Sequence, residues 1–101
     1  MALMEITIIP MGTGTTSCSP YIARVLDIAK ADPKVSYALN PMGTTLEGEL
    51  GDLYHCLQNM QEALFDDGIQ RVYTVCKIDD RRDKYQDMDQ RIRSVKEKQH
   101  D

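Results

Sequence analysis

Tryptophan is absent from this sequence, phenylalanine occurs once and aromatic residues make up 6% of the chain, too few for a surface that holds nucleic acid by base stacking. Basic charge is also short. Lysine and arginine number 12 against 16 acidic residues, and the net charge is −4. With no basic cluster before the C-terminal tail, the electrostatic footprint of a nucleic-acid partner is missing. No apolar run approaches the length that crosses a bilayer, and the start lacks a basic segment followed by a signal-like apolar core. A cytoplasmic protein with no membrane partner is expected. Cys18, Cys56 and Cys76 are odd in number and far apart, with no CxxC, which favours a reducing compartment over a disulfide framework or a zinc site. His55 and His100 have no second ligand at metal spacing and no nucleophile beside them. Neither a metal, a cofactor nor a catalytic apparatus is expected.

What the chain does have is apolar content for one core. A hydrophobic fraction of 42% with 28% charged residues describes a single globular domain over residues 1–101. Residues 3–9 alternate as a strand, with Met4, Ile6 and Ile8 on one face and Glu5 and Thr7 on the other, ended by Pro10. Ser19 and Pro20 are an N-cap and first helical residue, opening a helix to about Ala31 whose stripe is Ile22, Val25, Leu26 and Ala29. Val35–Leu39 is a second strand, joined by a turn to a third that contains Leu46, so the two pair antiparallel. A helix over about Asp52–Asp67 carries Leu53, Cys56, Leu57, Met60, Ala63 and Leu64 on its apolar side, with Gly68 closing it. Arg71–Asp79 is the fourth strand, and Asp79-Asp80-Arg81-Arg82-Asp83 reads as a solvated corner with local ion pairs. About Lys84–Lys98 forms a third helix whose narrow stripe, Tyr85, Met88, Ile92 and Val95, is a docking face for its own sheet or a neighbouring subunit.

This order of elements predicts an α+β protein: a ferredoxin-like βαββαβ sandwich with an added C-terminal helix. The helices are expected to cover Met4, Ile6, Ile8, Leu46, Val72 and Ile78. The opposite face carries Thr7, Ile9, Thr45, Glu47, Tyr73, Val75 and Lys77. It is too apolar to stay wet, which predicts a homo-oligomer, in its simplest form a tetramer built as a dimer of dimers.

The least generic stretch is Pro41-Met42-Gly43-Thr44-Thr45-Leu46-Glu47-Gly48-Glu49. Pro41 and Gly43 mark a tight turn, and the Thr44-Thr45 pair starts a strand on which Leu46 and Glu47 point to opposite faces. Here Glu47 is either a recognition carboxylate or a structural ion-pair partner, with Lys77 a candidate. Earlier, Gly12 and Gly14 stand between strand and helix as in a dinucleotide fingerprint, but the third small position is Ser17 and the chain is too short for the large parallel sheet that fold needs. A connector whose serine caps the helix is the better reading.

Three segments carry a family resemblance: Ile9-Pro10-Met11-Gly12-Thr13-Gly14 with Thr16-Ser17, Pro41-Met42-Gly43-Thr44-Thr45-Leu46-Glu47-Gly48, and Gly68-Ile69-Gln70-Arg71-Val72-Tyr73-Thr74 running into Lys77-Ile78-Asp79-Asp80-Arg81. Together they resemble the small thiamine-binding protein family, over nearly the whole chain. Leu46 and Cys76 stand where that pattern has β-branched residues, a difference of packing more than of chemistry. The resemblance implies a ferredoxin-like fold, assembly into dimers or tetramers through the sheets, no catalytic activity, and binding of thiamine or its hydroxymethylpyrimidine portion. An aminopyrimidine offers an amine donor and ring-nitrogen acceptors. Glu47 suits the amine, and Thr44, Thr45 and Ser17, with Thr16 beside it, suit the ring nitrogens. Tyr37 or Tyr73 would edge a thiazolium cation. Strand alternation separates Thr44 from Thr45 and Glu47, so these residues need not share one ligand. The alternative is a ligand-free assembly or regulatory module.

Overall fold

In a computed structural model that describes residues 1–100, the chain forms β1 (Ala2–Met11), α1 (Ser19–Ala31), β2 (Ser36–Asn40), β3 (Gly43–Gly48), α2 (Leu50–Asp66), β4 (Arg71–Asp80) and α3 (Met88–Lys98). The sheet order is β2-β3-β1-β4 with every neighbouring pair antiparallel. This is the ferredoxin-like arrangement: each βαβ unit is split by an intervening strand. Met4 lies opposite Leu46 and Ile78, and Ile6 opposite Thr44 and Cys76; the expected cover of β4 is incomplete, for Val72 packs against the core but Ile78 is 38% exposed at the far end of this edge strand. Since side chains alternate along a strand, these registers put Ala2, Met4, Ile6, Ile8, Thr44 and Leu46 on the face that α1 and α2 cover. There they meet Val25, Ala29, Leu53, Cys56, Met60 and Leu64, all buried. Each large side chain withdrawn from water in this way contributes about 1.5–3 kcal/mol before the entropy of ordering it.

Several boundaries differ from those the sequence suggests. β1 runs through Pro10 to Met11. Its pairing with β3 ends at Ile6, so the last part of β1 has only β4 beside it, and a residue without an N–H is tolerated on such an edge. α3 begins at Met88, not Lys84, because Asp87 and Gln90 form a capping box: the Asp87 carboxylate accepts from the Gln90 N–H at 2.8 Å and the Gln90 side chain accepts from the Asp87 N–H at 2.9 Å. Tyr85 therefore lies outside the helix. The serine cap expected for α1 is not found; the N-cap is Cys18, which makes no side-chain capping bond. The charged corner does contain local ion pairs, Arg81 with Asp83 at 2.6 Å and Arg82 with Asp80 at 2.7 Å. Gly68 closes α2 with φ +96°.

Two glycines of the β3–α2 junction give opposite expectations. A Cβ on Gly48 would sit 2.9 Å from the Lys34 carbonyl oxygen, whereas a Cβ on Gly51, inside α2, would meet nothing within 4 Å. Gly48→Ala should destabilise the fold by about 1–3 kcal/mol through overpacking against backbone. Gly51→Ala should stabilise it by roughly 0.5–1 kcal/mol through helix propensity and the lost freedom of the unfolded chain. Denaturant melts of the two variants read both signs.

Candidate functional site

A cavity of about 540 Å³ opens between the first half of α1, the end of β1 and the β2–β3 turn. Its walls are apolar, chiefly Ile8, Ile22, Leu26 and Leu39, and its polar residues include Ser19 and Thr44; Asn40 borders it too, but its side chain turns to Thr45 on the other face of the sheet. Among the described residues no acidic or basic side chain lines it. Thr44 comes from the motif singled out in the sequence. Its partner across the sheet, Ile6, belongs to the core face, so Thr44 points towards the helices and is only 5% exposed. Met42 and Leu39 stay largely exposed at the turn, where β2 is the five-residue edge strand. A mostly apolar cleft with a few convergent polar groups is the usual form of a small-molecule site.

The structure divides the other sequence-derived candidates. Thr45 and Glu47 pair with Glu5 and Leu3 and lie on the opposite face of the sheet. The Thr45 hydroxyl accepts from the Asn40 side-chain amide at 2.8 Å, tying the strands of the hairpin together. Glu47 is 9% exposed and its Oε2 accepts from the Met88 N–H at 2.7 Å, so its carboxylate meets the first turn of α3. Lys77 pairs instead with Glu5, at 3.8 Å. Thr16 and Ser17 are exposed in the β1–α1 connector. That connector is held by its own hydroxyls: the Thr13 hydroxyl donates to the Thr15 carbonyl at 3.0 Å, and the Thr15 hydroxyl accepts from the Ser17 N–H at 3.2 Å. Tyr37 pairs with Leu46 and shares the face of Thr44, but it stands partly exposed on β2 outside the cavity lining. Tyr73 is on the opposite face, paired with Ile9. Sequence reasoning misses Ser19, which the sequence offers only as a helix cap.

A second, more open groove of about 590 Å³ runs between α1 and α2 on the outside of the helical layer. It is lined by charge, but Arg24 at its edge pairs with Asp67 at 3.0 Å and Lys34 with Asp52 at 3.9 Å. Next to it, Cys56 is fully buried. Burial pushes its thiol up to about 11, with the neighbouring Asp32 carboxylate adding to the effect, so it is a core residue and a poor nucleophile at neutral pH.

Residues 4–96 match a family model described as thiamine-binding protein. The chain belongs to that family. Its relatives include the UPF0045 protein YqgV of Bacillus subtilis, 46% identical over 98 residues that cover 94% of each chain. A UPF0045 protein of Methanothermobacter thermautotrophicus is 42% identical over 99 residues, covering 97% of this chain and 99% of the relative. Among solved structures, a hypothetical protein of Methanocaldococcus jannaschii superposes with a TM-score of 0.85 at 29% identity, over 95% of this chain and 96% of the other. A Thermotoga maritima protein assigned provisionally to thiamine biosynthesis or salvage has a TM-score of 0.77 at 15% identity, over 93% and 97% of the two chains; that likeness concerns the fold alone. Catalytic activity is not known for the thiamine-binding family.

The thiols of this family member should separate by burial. Titration with an aromatic disulfide reagent at pH 8 should label exposed Cys76 and half-buried Cys18 in the native protein. Cys56, with on the order of one molecule in a thousand ionised at that pH, should react only after denaturation. Rapid native labelling of Cys56 would contradict its placement.

Proposed function

We propose that the protein is a non-catalytic carrier or sensor of a small aminopyrimidine, the hydroxymethylpyrimidine half of thiamine or thiamine itself, bound in the cavity floored by Thr44. The observation that carries this reading is the neutral lining: an apolar cleft with Thr44 and Ser19 at its polar positions, in a chain of the thiamine-binding family. A flat heteroaromatic ring buries well against Ile8, Ile22 and Leu26. A threonine hydroxyl suits a ring nitrogen and a serine hydroxyl can accept from the exocyclic amine. A thiazolium cation finds no carboxylate on these walls, and an unpaired charge is costly to bury, so that half of thiamine belongs at the mouth. Of the residues singled out in the sequence, Thr44 is the one offered here as a ligand contact. Three free cysteines suit a cytoplasmic setting, and no helix among the described residues is long and apolar enough to cross a membrane.

Calorimetric titration tests the ligand. Wild type should bind hydroxymethylpyrimidine at least as tightly as thiamine. Thr44→Val, which keeps the shape and removes the hydroxyl, should weaken binding about tenfold. Glu47→Gln should leave affinity unchanged. Binding of neither compound by wild type would overturn the assignment in favour of a ligand-free assembly module.

The same reading includes self-assembly. Ile9, Met11, Tyr73 and Val75 share the face opposite the two-helix layer and are all exposed, an apolar patch of the kind that marks an interface. A homo-oligomer, in its fullest form a tetramer made of two dimers, covers it. Light scattering at micromolar concentration should give a multiple of the 11.5 kDa chain; the mass of a single chain would exclude assembly.

A further inference from the structure

α3 is attached to its own sheet at one end. Its first turn meets Glu47, whose Oε2 accepts from the Met88 N–H at 2.7 Å, and Arg91 pairs with Asp79 of β4. Beyond these contacts the helix has no buried residue. Ile92 is 54% exposed and Val95 is 69% exposed, so the apolar stripe that makes the helix amphipathic is left largely uncovered by the described residues of its own chain. An 11-residue helix is shorter than the roughly 12–15 residues at which even favourable isolated helices become marginal in water. Its stripe therefore calls for a cover. The radius of gyration, 15.0 Å, exceeds the value of about 13 Å for a compact chain of this length, as a projecting arm requires.

We propose that α3 is an inter-subunit arm: anchored at its start by Glu47, it lays Ile92 and Val95 on the open sheet face of a second copy, over the region of Ile9, Tyr73 and Val75. This rests on the assembly reading above and goes beyond it by naming the element that crosses and the residue that aims it. Two observations favour a second copy as the occupant. The helix and the uncovered apolar face lie on the same side of one sheet, since Glu47, Asp79, Ile9, Tyr73 and Val75 share a face by register, so a two-fold axis can satisfy both at once. The charges also match: Arg91, Arg93, Lys96 and Lys98 against Asp89 and Glu97 give α3 a net charge of +2, and with the chain at −4 the remainder stands at −6. A basic arm on an acidic body favours association with another copy. Glu47 is then a positioning residue. Its carboxylate takes an N–H that the helix cannot satisfy internally and lies at the positive end of the helix dipole, fixing where the arm leaves the sheet.

The test uses the full chain and reads mass by light scattering, amide hydrogen exchange over α3, and hydroxymethylpyrimidine binding. Ile92 and Val95 are exposed in the single chain, so the double variant Ile92→Glu, Val95→Glu should fold normally. It should shift the assembly to smaller species, with the dissociation constant raised about a hundredfold by the loss of two apolar anchors, and α3 amides should lose their protection. Glu47→Gln should weaken assembly about tenfold, unprotect the first turn of α3 and leave ligand binding intact. A wild type that is monomeric sinks the assembly reading and the arm with it. An oligomeric wild type whose mass and α3 exchange are unmoved by the double variant overturns the arm alone. So do α3 amides that exchange freely in the wild-type oligomer, which would leave the stripe for a different partner. Loss of ligand binding in Glu47→Gln with mass unchanged would place Glu47 in a binding site and remove its role as anchor.

Discussion

The pairing of β1 with β3 is the constraint on which the rest of the molecule depends. It sets Met4 against Leu46 and Ile6 against Thr44, and the side-chain period of two does the remainder. A slip by one residue would turn Glu47 into the core and Leu46 out to the other face. Burying that carboxylate without a partner costs several times what the exposed leucine loses, so the register has no near competitor. The same pairing puts Thr44 on the cavity floor and Glu47 beneath α3. One strand thus supplies both surfaces, and its alternation keeps them apart.

The two faces of the sheet differ in how complete they are. On one, α1 and α2 close over a core whose side chains are withdrawn from water, leaving a neutral cleft where the β2–β3 turn parts from α1. On the other, α3 makes polar contacts at its first turn while apolar residues of both sheet and helix remain exposed. A hydrophobic stripe without a partner is unfinished structure. The division fits separate tasks, with the proposed ligand on the finished side and the proposed partner copy on the unfinished one, joined through the backbone of β3.

Most elements were legible because their apolar periodicity is strong and their ends carry chemistry, such as Pro20 at the start of α1 and Gly68 at the close of α2. The misreadings have local causes. Pro10 resembles a strand end until β3 is seen to stop short of it. Tyr85 resembles helix until the Asp87–Gln90 capping box is seen to place the start later. In the candidate site, Thr44 was visible in its motif. Ser19 is not brought to it by any spacing, since it reaches the cavity from a helix.

By itself the sequence determined the α+β class, the order of elements, the core-facing residues except Ile78, which is exposed, and the assignment of Thr44 and Glu47 to opposite sides. Each follows from a period of two or 3.6 residues and from the burial of apolar surface, which are properties of neighbouring positions. Only the tertiary structure decided what lies on each side. Glu47 meets the N–H of Met88, 41 residues away, and Thr44 meets a cleft walled by α1. Alternation states that two side chains diverge; what each one reaches is set by packing between elements distant in the chain, and no local pattern encodes it.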